Sequence, residues 1–225
     1  MQHIMIKRQE KTICIIPARK NSKRIKNKNL LKIRGETLID ICIKLSIKSN
    51  LFEKIILSSD SNKILNIGKK YKILTIKRGE KISEDKSTTD SVVRDVVSKA
   101  KFKFQNIVIL QVTSPLRKIE TLRNFLKHCI KKKLSHCLSV SVINDNISEK
   151  NKYFKPLGKN LRRSQLRKPY IYENGLFYFV KKEHFLKRNK IYPTKNWNFF
   201  ITDKYESIDI NELNDYLVAK KFINK

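Results

Sequence analysis

The sequence predicts an α/β fold, a mostly parallel, twisted and Rossmann-like sheet flanked by helices, with one small excursion. Three observations carry this. Short apolar runs alternate with segments of helical periodicity, which is the pattern of βαβ units. A hydrophobic fraction of 40% over 225 residues suits one substantial core and leaves little for a second. A long polar stretch after residue 143 then breaks the rhythm once before it resumes.

Taken in order, Thr12–Pro17 (TICIIP) reads as a buried strand that its proline ends. Residues 38–49 place Leu38, Ile41, Cys42, Leu45 and Ile47 at helical spacing. Residues 54–58 predict a second strand, 61–70 a helix, and 73–76 a short third strand. Thr88, Thr89 and Asp90 supply caps for a helix reaching about residue 100. The run NIVIL at 106–110 predicts a buried strand, and 119–132 a helix whose lysine-rich end suits the helix dipole. Residues 138–142 predict another strand. The polar segment 144–170 leaves the main sheet, 176–180 returns to strand character, and 212–223 closes as a helix. The whole chain, 1–225, reads as a single domain, with about 144–180 as an insertion. No internal repeat or low-complexity linker divides it.

Composition narrows the function classes. Every apolar run is interrupted within about ten residues, well short of a membrane span. The N-terminus (MQHIMIKRQEK) lacks the apolar core of a secretory signal, so a cytoplasmic protein with no membrane partner is expected. Cys14, Cys42, Cys129 and Cys137 are scattered among apolar neighbours, with no CxxC pair or Cys/His cluster to hold zinc, and read as buried thiols. The net charge is +31. Such a chain attracts nucleic acid, yet the lysines are spread along the whole length and do not alternate with aromatics as a base-stacking platform would. Abundant Lys, Ile and Asn resemble the bias of an AT-rich genome. The expectation is a polyanionic small substrate served by a few of the cations, with no specific nucleic-acid partner.

Five motifs carry the chemistry. The first, Ile15 to Leu30 (IIPARKNSKRIKNKNL), is a strand that opens into a cation-rich loop at the carboxyl edge of a parallel sheet, where open α/β folds bind ligands. Arg19 and Lys28 there could clamp a triphosphate, the one as a planar fork and the other as a point charge; a solvated basic loop is the bland alternative. It is no Walker loop, because GxxxxGK[ST] is absent. The second, QVTSPLR at 111–117, places a polar cluster after the NIVIL strand. The third joins Arg78 to 87–91 (STTDS), where helix capping is the bland reading. The fourth is Arg162-Arg163-Ser164-Gln165 followed by 172–178 (YENGLFY). The last is Ser207-Ile208-Asp209-Ile210-Asn211: on a strand, positions i and i+2 share a side, so Asp209 and Asn211 could share one cation.

The first motif resembles the signature IIPARxGSKxxxxKN of the acylneuraminate cytidylyltransferases, with Asn21 where the family has Gly. The second resembles QPTSPLR of the same family, with Val112 for Pro, and differs from the acidic sequence of the KDO branch. The third resembles RPxxLSxDxSxxxDV, with Gly79 and Ile82 altered; the fourth an RxQ element followed by NGAIY; the last SIDIDTxED, with Asn211 in place of a second carboxylate. The resemblance runs from about residue 12 to 222 with the five motifs in order.

It implies a nucleotidyltransferase joining CTP to an acidic nine-carbon sugar, with pyrophosphate released. Arg19 and Lys28 become phosphate ligands and, with Asp209, the catalytic group. Ala18, Ser22 and Asn29 assist around the nucleotide, and Arg78 and Thr89 face the cytosine. Gln111, Arg163, Asn174 and Tyr178 face the sugar, with Arg163 suited to its carboxylate. Arg117 is either structural or a ligand. Mg²⁺ is the implied cofactor, held by Asp209 with Asn211 as an open second ligand, and affinity is expected to be weaker for want of the carboxylate. The family also implies a homodimer formed through the insertion. Alternatives are a KDO or other sugar nucleotidyltransferase, a basic nucleic-acid-binding module, and a non-catalytic homologue.

Overall fold

In the computed structural model the described residues are 10–20, 22, 24–79, 88–145, 169–193 and 195–223. Strand β1 (Thr12–Pro17) lies inside the sheet between two neighbours and buries both faces. Cys14 and Ile16 join one cluster, while Ile13 and Ile15 join another on the opposite side, as the period of two requires. A 3-10 turn at Lys28–Leu30 follows, entered through Asn27 at φ 56°. Strands β2 (Lys32–Ile33) and β3 (Glu36–Thr37) then form a hairpin with Arg34 and Gly35 at φ 51° and 80° in its turn. Positive φ at both turn residues matches the right-handed twist of the strands.

Helix α1 (Leu38–Ser49) starts on a capping box: Thr37 Oγ1 accepts from the Asp40 amide at 3.1 Å, and Asp40 Oδ2 accepts from the Thr37 amide at 3.0 Å. Strand β4 (Lys54–Ser59), helix α2 (Asn62–Lys70), capped by Ser61, and strand β5 (Leu74–Lys77) complete one half of the sheet. Helix α3 (Thr89–Lys99) leads to β6 (Asn106–Ile109), and α4 (Ile119–Lys131) to β7 (His136–Ile143). Then come β8 (Tyr170–Lys181), α5 (Lys182–Arg188), β9 (Phe199–Ile201) and α6 (Leu213–Ile223).

The seven-stranded sheet runs β5-β4-β1-β6-β8-β7-β9. Four of its six pairings are parallel; β8 is antiparallel to both neighbours. Helices α1 and α4 cover one face around Phe125 and Leu38, and α3 and α5 cover the other around Val93 and Phe185. All four cysteines are free and buried.

Three departures from the expected elements bear on the site. Residues 170–175, expected in the excursion, belong to β8. Only the second half of that strand pairs with β6 (Ile109 opposite Tyr178), so its first half runs beyond the β6 carboxyl end as a two-stranded arm with β7. Opposite Ser139 the register slips, and β8 sets the four residues 174–177 against that one, with Gly175 at φ 72°. The segment 207–211, expected as a strand, has no strand backbone; it is a connection between β9 and α6. The hairpin, α5 and β9 had no expected counterpart. Of the 144–180 insertion, residues 146–168 lie outside the described residues, and Arg163 with them.

Candidate functional site

The parallel strands β1, β4, β5 and β6 end on one edge, and the loops after β1 and β6 diverge there because β4 and β6 flank β1 on opposite sides. That switch point is where open α/β sheets leave a crevice. Behind β1 the chain is pinned by its own backbone. The Ala18 amide donates to Ser58 O at 2.9 Å, the Lys20 amide to Asp60 Oδ1 at 2.7 Å, and Asn29 Nδ2 to Arg19 O at 2.9 Å. Ala18 and Asn29 are therefore occupied in shaping the loop. Arg19 and Ser22 are half-buried within it.

Lys28 leaves the loop altogether. Its Nζ donates to the carbonyl of Ile210 at 2.7 Å. Burial lowers its pKa from the ordinary lysine value, and Arg24 and Arg19 add to this, while Asp209 and Asp215 oppose it. From the β6 side Thr113 holds the same segment twice. Its carbonyl accepts from the Ile210 amide at 2.8 Å, and its hydroxyl donates to Asp209 Oδ1. Asn211 Nδ2 donates to Asp209 Oδ2 at 2.7 Å. Asp215, in the first turn of α6, accepts the amides of Asn211 and Glu212, both at 2.8 Å. One turn earlier Glu206, 5% exposed, takes the Lys118 amide at 3.2 Å and the Thr121 hydroxyl at 3.0 Å, so its carboxylate sits on the N-terminus of α4. Side chains thus fix a segment that has no ladder of its own.

Next to it opens a cavity of about 470 Å³ whose walls include Glu173, Asn174, Tyr178, Asp209, Asn211 and Asp215. The Tyr178 hydroxyl donates to Glu173 Oε1 at 2.6 Å, and the Tyr192 hydroxyl reaches the same oxygen at 3.3 Å. Burial and the Glu173 carboxylate push the Tyr178 phenol well above its usual range. Asn174 closes the cavity floor. Its Oδ1 accepts from Ser139 Oγ at 2.6 Å and from the Leu176 amide at 3.1 Å. Its Nδ2 faces Thr202, Ser141 and Ser207 hydroxyls at 2.7, 2.8 and 3.0 Å. An amide nitrogen has two hydrogens, so those three contacts share them.

The remaining candidates divide between crevice and core. Arg78 follows β5 and is 7% exposed, with Nε and Nη2 on Ser58 Oγ (3.0 Å) and O (2.8 Å). Burial lowers its pKa to about 10, against the opposing pull of Asp60 and Asp95. Thr89 is the first residue of α3, but Thr88 is the cap, its hydroxyl accepting from the Ser91 amide at 3.3 Å. Gln111 is half-buried at the β6 exit, and its carbonyl accepts from Arg117 Nη2 at 2.7 Å. Arg117 is buried and points into the core, with its guanidinium 5.6 Å from the Phe177 ring centroid. Lys28, Asp209, Asn211, Asn174 and Tyr178 are thus brought to one place. Arg78, which follows β5, lies on the other side of β1.

The Cytidylyltransferase family profile matches residues 13–222, almost the whole chain. The chain belongs to this family. Among relatives, the N-acylneuraminate cytidylyltransferase of Streptococcus agalactiae is 29% identical over 217 residues, covering 92% of this chain and 52% of that protein. The CMP-N,N'-diacetyllegionaminic acid synthase of Legionella pneumophila is 29% identical over 230 residues, covering 94% of this chain and 95% of that protein. The chain therefore spans about half the length of the first relative and nearly all of the second. Among solved structures, a CMP:2-keto-3-deoxy-manno-octonic acid synthetase complexed with CTP superposes with a TM-score of 0.72 at 14% identity, covering 95% of this chain and 98% of that one. This likeness establishes the nucleotidyltransferase fold of the family.

Sequence reasoning missed Thr113, Glu173, Asp215 and Glu206. Thr113 and Glu173 stand inside quoted motifs, and Asp215 follows Glu212, the residue before α6, by three, the spacing of a helix start and a signal open to reading. Glu206 offers no pattern. For a divalent cation, no group of three or more His, Cys, Asp or Glu side chains among the described residues converges as a ready-made cage. Asp209 and the amide oxygen of Asn211 are hard oxygen donors, and Mg²⁺ takes only one or two carboxylates where phosphate oxygens and water complete its octahedron. The donor set fits such an ion if the Asn211 amide turns its oxygen toward it.

Proposed function

We propose that this chain joins CMP from CTP to the anomeric hydroxyl of an acidic nine-carbon sugar, releasing pyrophosphate. The observation that carries the reading is the meeting of Lys28, Thr113 and Asp209 where the β1 and β6 loops part, beside a cavity of about 470 Å³. A cation held in place by a backbone carbonyl is pre-oriented for a triphosphate, and the adjoining cavity has the size of a small-molecule site.

Arg19 and Lys28 bind triphosphate oxygens and neutralise charge as the α-phosphate is attacked. Ala18 and Asn29 hold the loop that presents them. Arg78, clamped by Ser58, keeps an N–H edge fixed for a cytosine acceptor, with Thr89 as a second contact to the base. Tyr178, Glu173 and Gln111 line the approach of the sugar, Asn174 sets the shape of the wall, and Arg163 supplies its carboxylate partner. Asp209 with Asn211 would hold Mg²⁺, which supplies further neutralisation of the triphosphate. Apolar side chains exposed on the arm and edge strand (Ile171, Tyr172, Phe199, Ile201) support a homodimer. No helix among the described residues is long and apolar enough to cross a membrane, and a cytoplasmic place of work suits a CTP-consuming reaction.

The test is pyrophosphate release from CTP with Mg²⁺ against N-acetylneuraminic, legionaminic and pseudaminic acids. Turnover with at least one is expected. Turnover with 2-keto-3-deoxyoctonic acid alone would move the chain to the eight-carbon substrate. Salt-sensitive RNA binding without pyrophosphate release would overturn the enzyme reading.

A further inference from the structure

Helix α3 is linked to the wall of the sugar cavity through Asp90, a residue of the third motif to which the proposed function gives no role. Asp90 Oδ1 accepts the backbone amide of Ile191 at 2.8 Å, across 101 positions of sequence. One turn further on, Arg94 reaches Asn189 through Nε and Nη2, both at 3.3 Å. Ile191 is fully buried beside Val92, Val93 and Phe185, so the loop is seated on α3. The next residue is Tyr192. Its hydroxyl reaches Glu173 Oε1, the oxygen that also takes the Tyr178 hydroxyl. Its ring lies edge-on to Tyr178 at 5.7 Å and stacks on Trp197 at 4.9 Å and 11°. Glu173 and Tyr178 are cavity wall. A continuous set of bonds therefore runs from the start of α3, next to Thr89, to the wall that faces the sugar.

We propose that Asp90 is a positioning residue for the sugar half of the site: by fixing the Ile191 amide it sets Tyr192, and through Tyr192 the orientation of Glu173 and Tyr178. This rests on the cytidylyltransferase reading. Asp90 touches no substrate. Because Thr89 precedes it on the same turn, the tie makes the cavity wall depend on the helix that borders the nucleotide. The bond needs an oxygen acceptor and no charge, which separates the proposal from a general electrostatic role. Asp90→Asn keeps an oxygen at that position, and Asp90→Ala removes it.

Steady-state kinetics on the full chain give the first readout. Asp90→Ala raises KM for the sugar about tenfold, with KM for CTP within about twofold of the parent, and Asp90→Asn restores the sugar KM. Trp197 is the only tryptophan of the chain, so its emission reports the Tyr192 stack without any turnover. The emission shifts in Asp90→Ala and not in Asp90→Asn. Unchanged emission in Asp90→Ala overturns the tie. A sugar KM that does not rise, or a CTP KM that rises equally, overturns the positioning role. A parent protein without turnover on any of the sugars, but with the emission shift intact, overturns the functional reading and the kinetic role, while the tie to Tyr192 stands.

Discussion

Lys28 Nζ lies 2.7 Å from the carbonyl oxygen of Ile210, 182 positions away, so the loop after the first strand is fastened to the segment that carries Asp209. A lysine so held is a fixed charge, and the backbone carbonyl that holds it leaves two further N–H donors for other oxygens.

Lys28→Ala is expected to lower kcat at saturating CTP about 100-fold, the usual scale for losing one fixed donor at a developing anion. Turnover at parental rate would remove Lys28 from the phosphate site.

The pH dependence follows from the same side chain. Its folded pKa is depressed below the ordinary 10.5, first by burial. In the proposed role the charged form binds phosphate, so rising pH is expected to discharge it and weaken CTP binding earlier than for an ordinary lysine. The alkaline limb of kcat/KM for CTP, which reports the free enzyme, is expected below that value. It should move to higher pH in Lys28→Arg, whose guanidinium stays charged.

Asn211→Asp places a second carboxylate against Asp209, where the amide now donates at 2.7 Å. Without divalent ion the repulsion costs between about 1 and 4 kcal/mol, lowering the melting temperature. Added Mg²⁺ should recover it, and half-maximal activity should need about tenfold less Mg²⁺ than the parent. A melting temperature indifferent to Mg²⁺ would place the ion elsewhere.

The contacts of Arg117 with Gln111 O and the Phe177 ring make it part of the scaffold. Arg117→Ala is expected to cost about 2–4 kcal/mol in denaturant unfolding. The KM values for CTP and sugar of the folded enzyme should stay near parental. A raised KM at unchanged stability would return it to the ligands.

Asn174→Ala strips partners from Ser139, Ser141, Thr202 and Ser207 together, and is expected to cost about 3 kcal/mol in chemical denaturation. A near-neutral change would mean that water replaces the amide.

What could be read in advance follows from how local each signal is. Helix α1 announces itself by Thr37 and Asp40 at capping-box spacing and by its periodic apolar residues, and β1 and β6 by unbroken apolar runs, because both faces of each are buried. The first half of β8 lacks the unbroken apolar run of a core strand, because Ile171, Tyr172 and Glu173 are exposed on a two-stranded arm. Helix α5 has seven residues and β9 three, too few for a period to show. At the site, Arg19, Lys28 and Asp209 stand in ordered motifs that could be matched. The Thr113–Asp209 contact joins positions 96 apart and leaves no local trace. Reading 207–211 as a strand failed for a related reason. Pleating would put two polar residues at i and i+2 on one side, whereas Asp209 and Asn211 meet through a side-chain hydrogen bond in a loop.

The connection from Thr202 to Asn211 has borrowed order. Its amides and carbonyls rest on Thr113, Lys28, Val140 and Asp215, which belong to four different parts of the chain. Such a segment can detach without the sheet unfolding, so its amides should exchange with solvent through a local opening of lower free energy than the β1 and β6 amides. A ligand that bridges Lys28 and Asp209 would close that opening by mass action. Hydrogen exchange of a few loop amides then becomes a binding assay that needs neither product formation nor knowledge of the sugar.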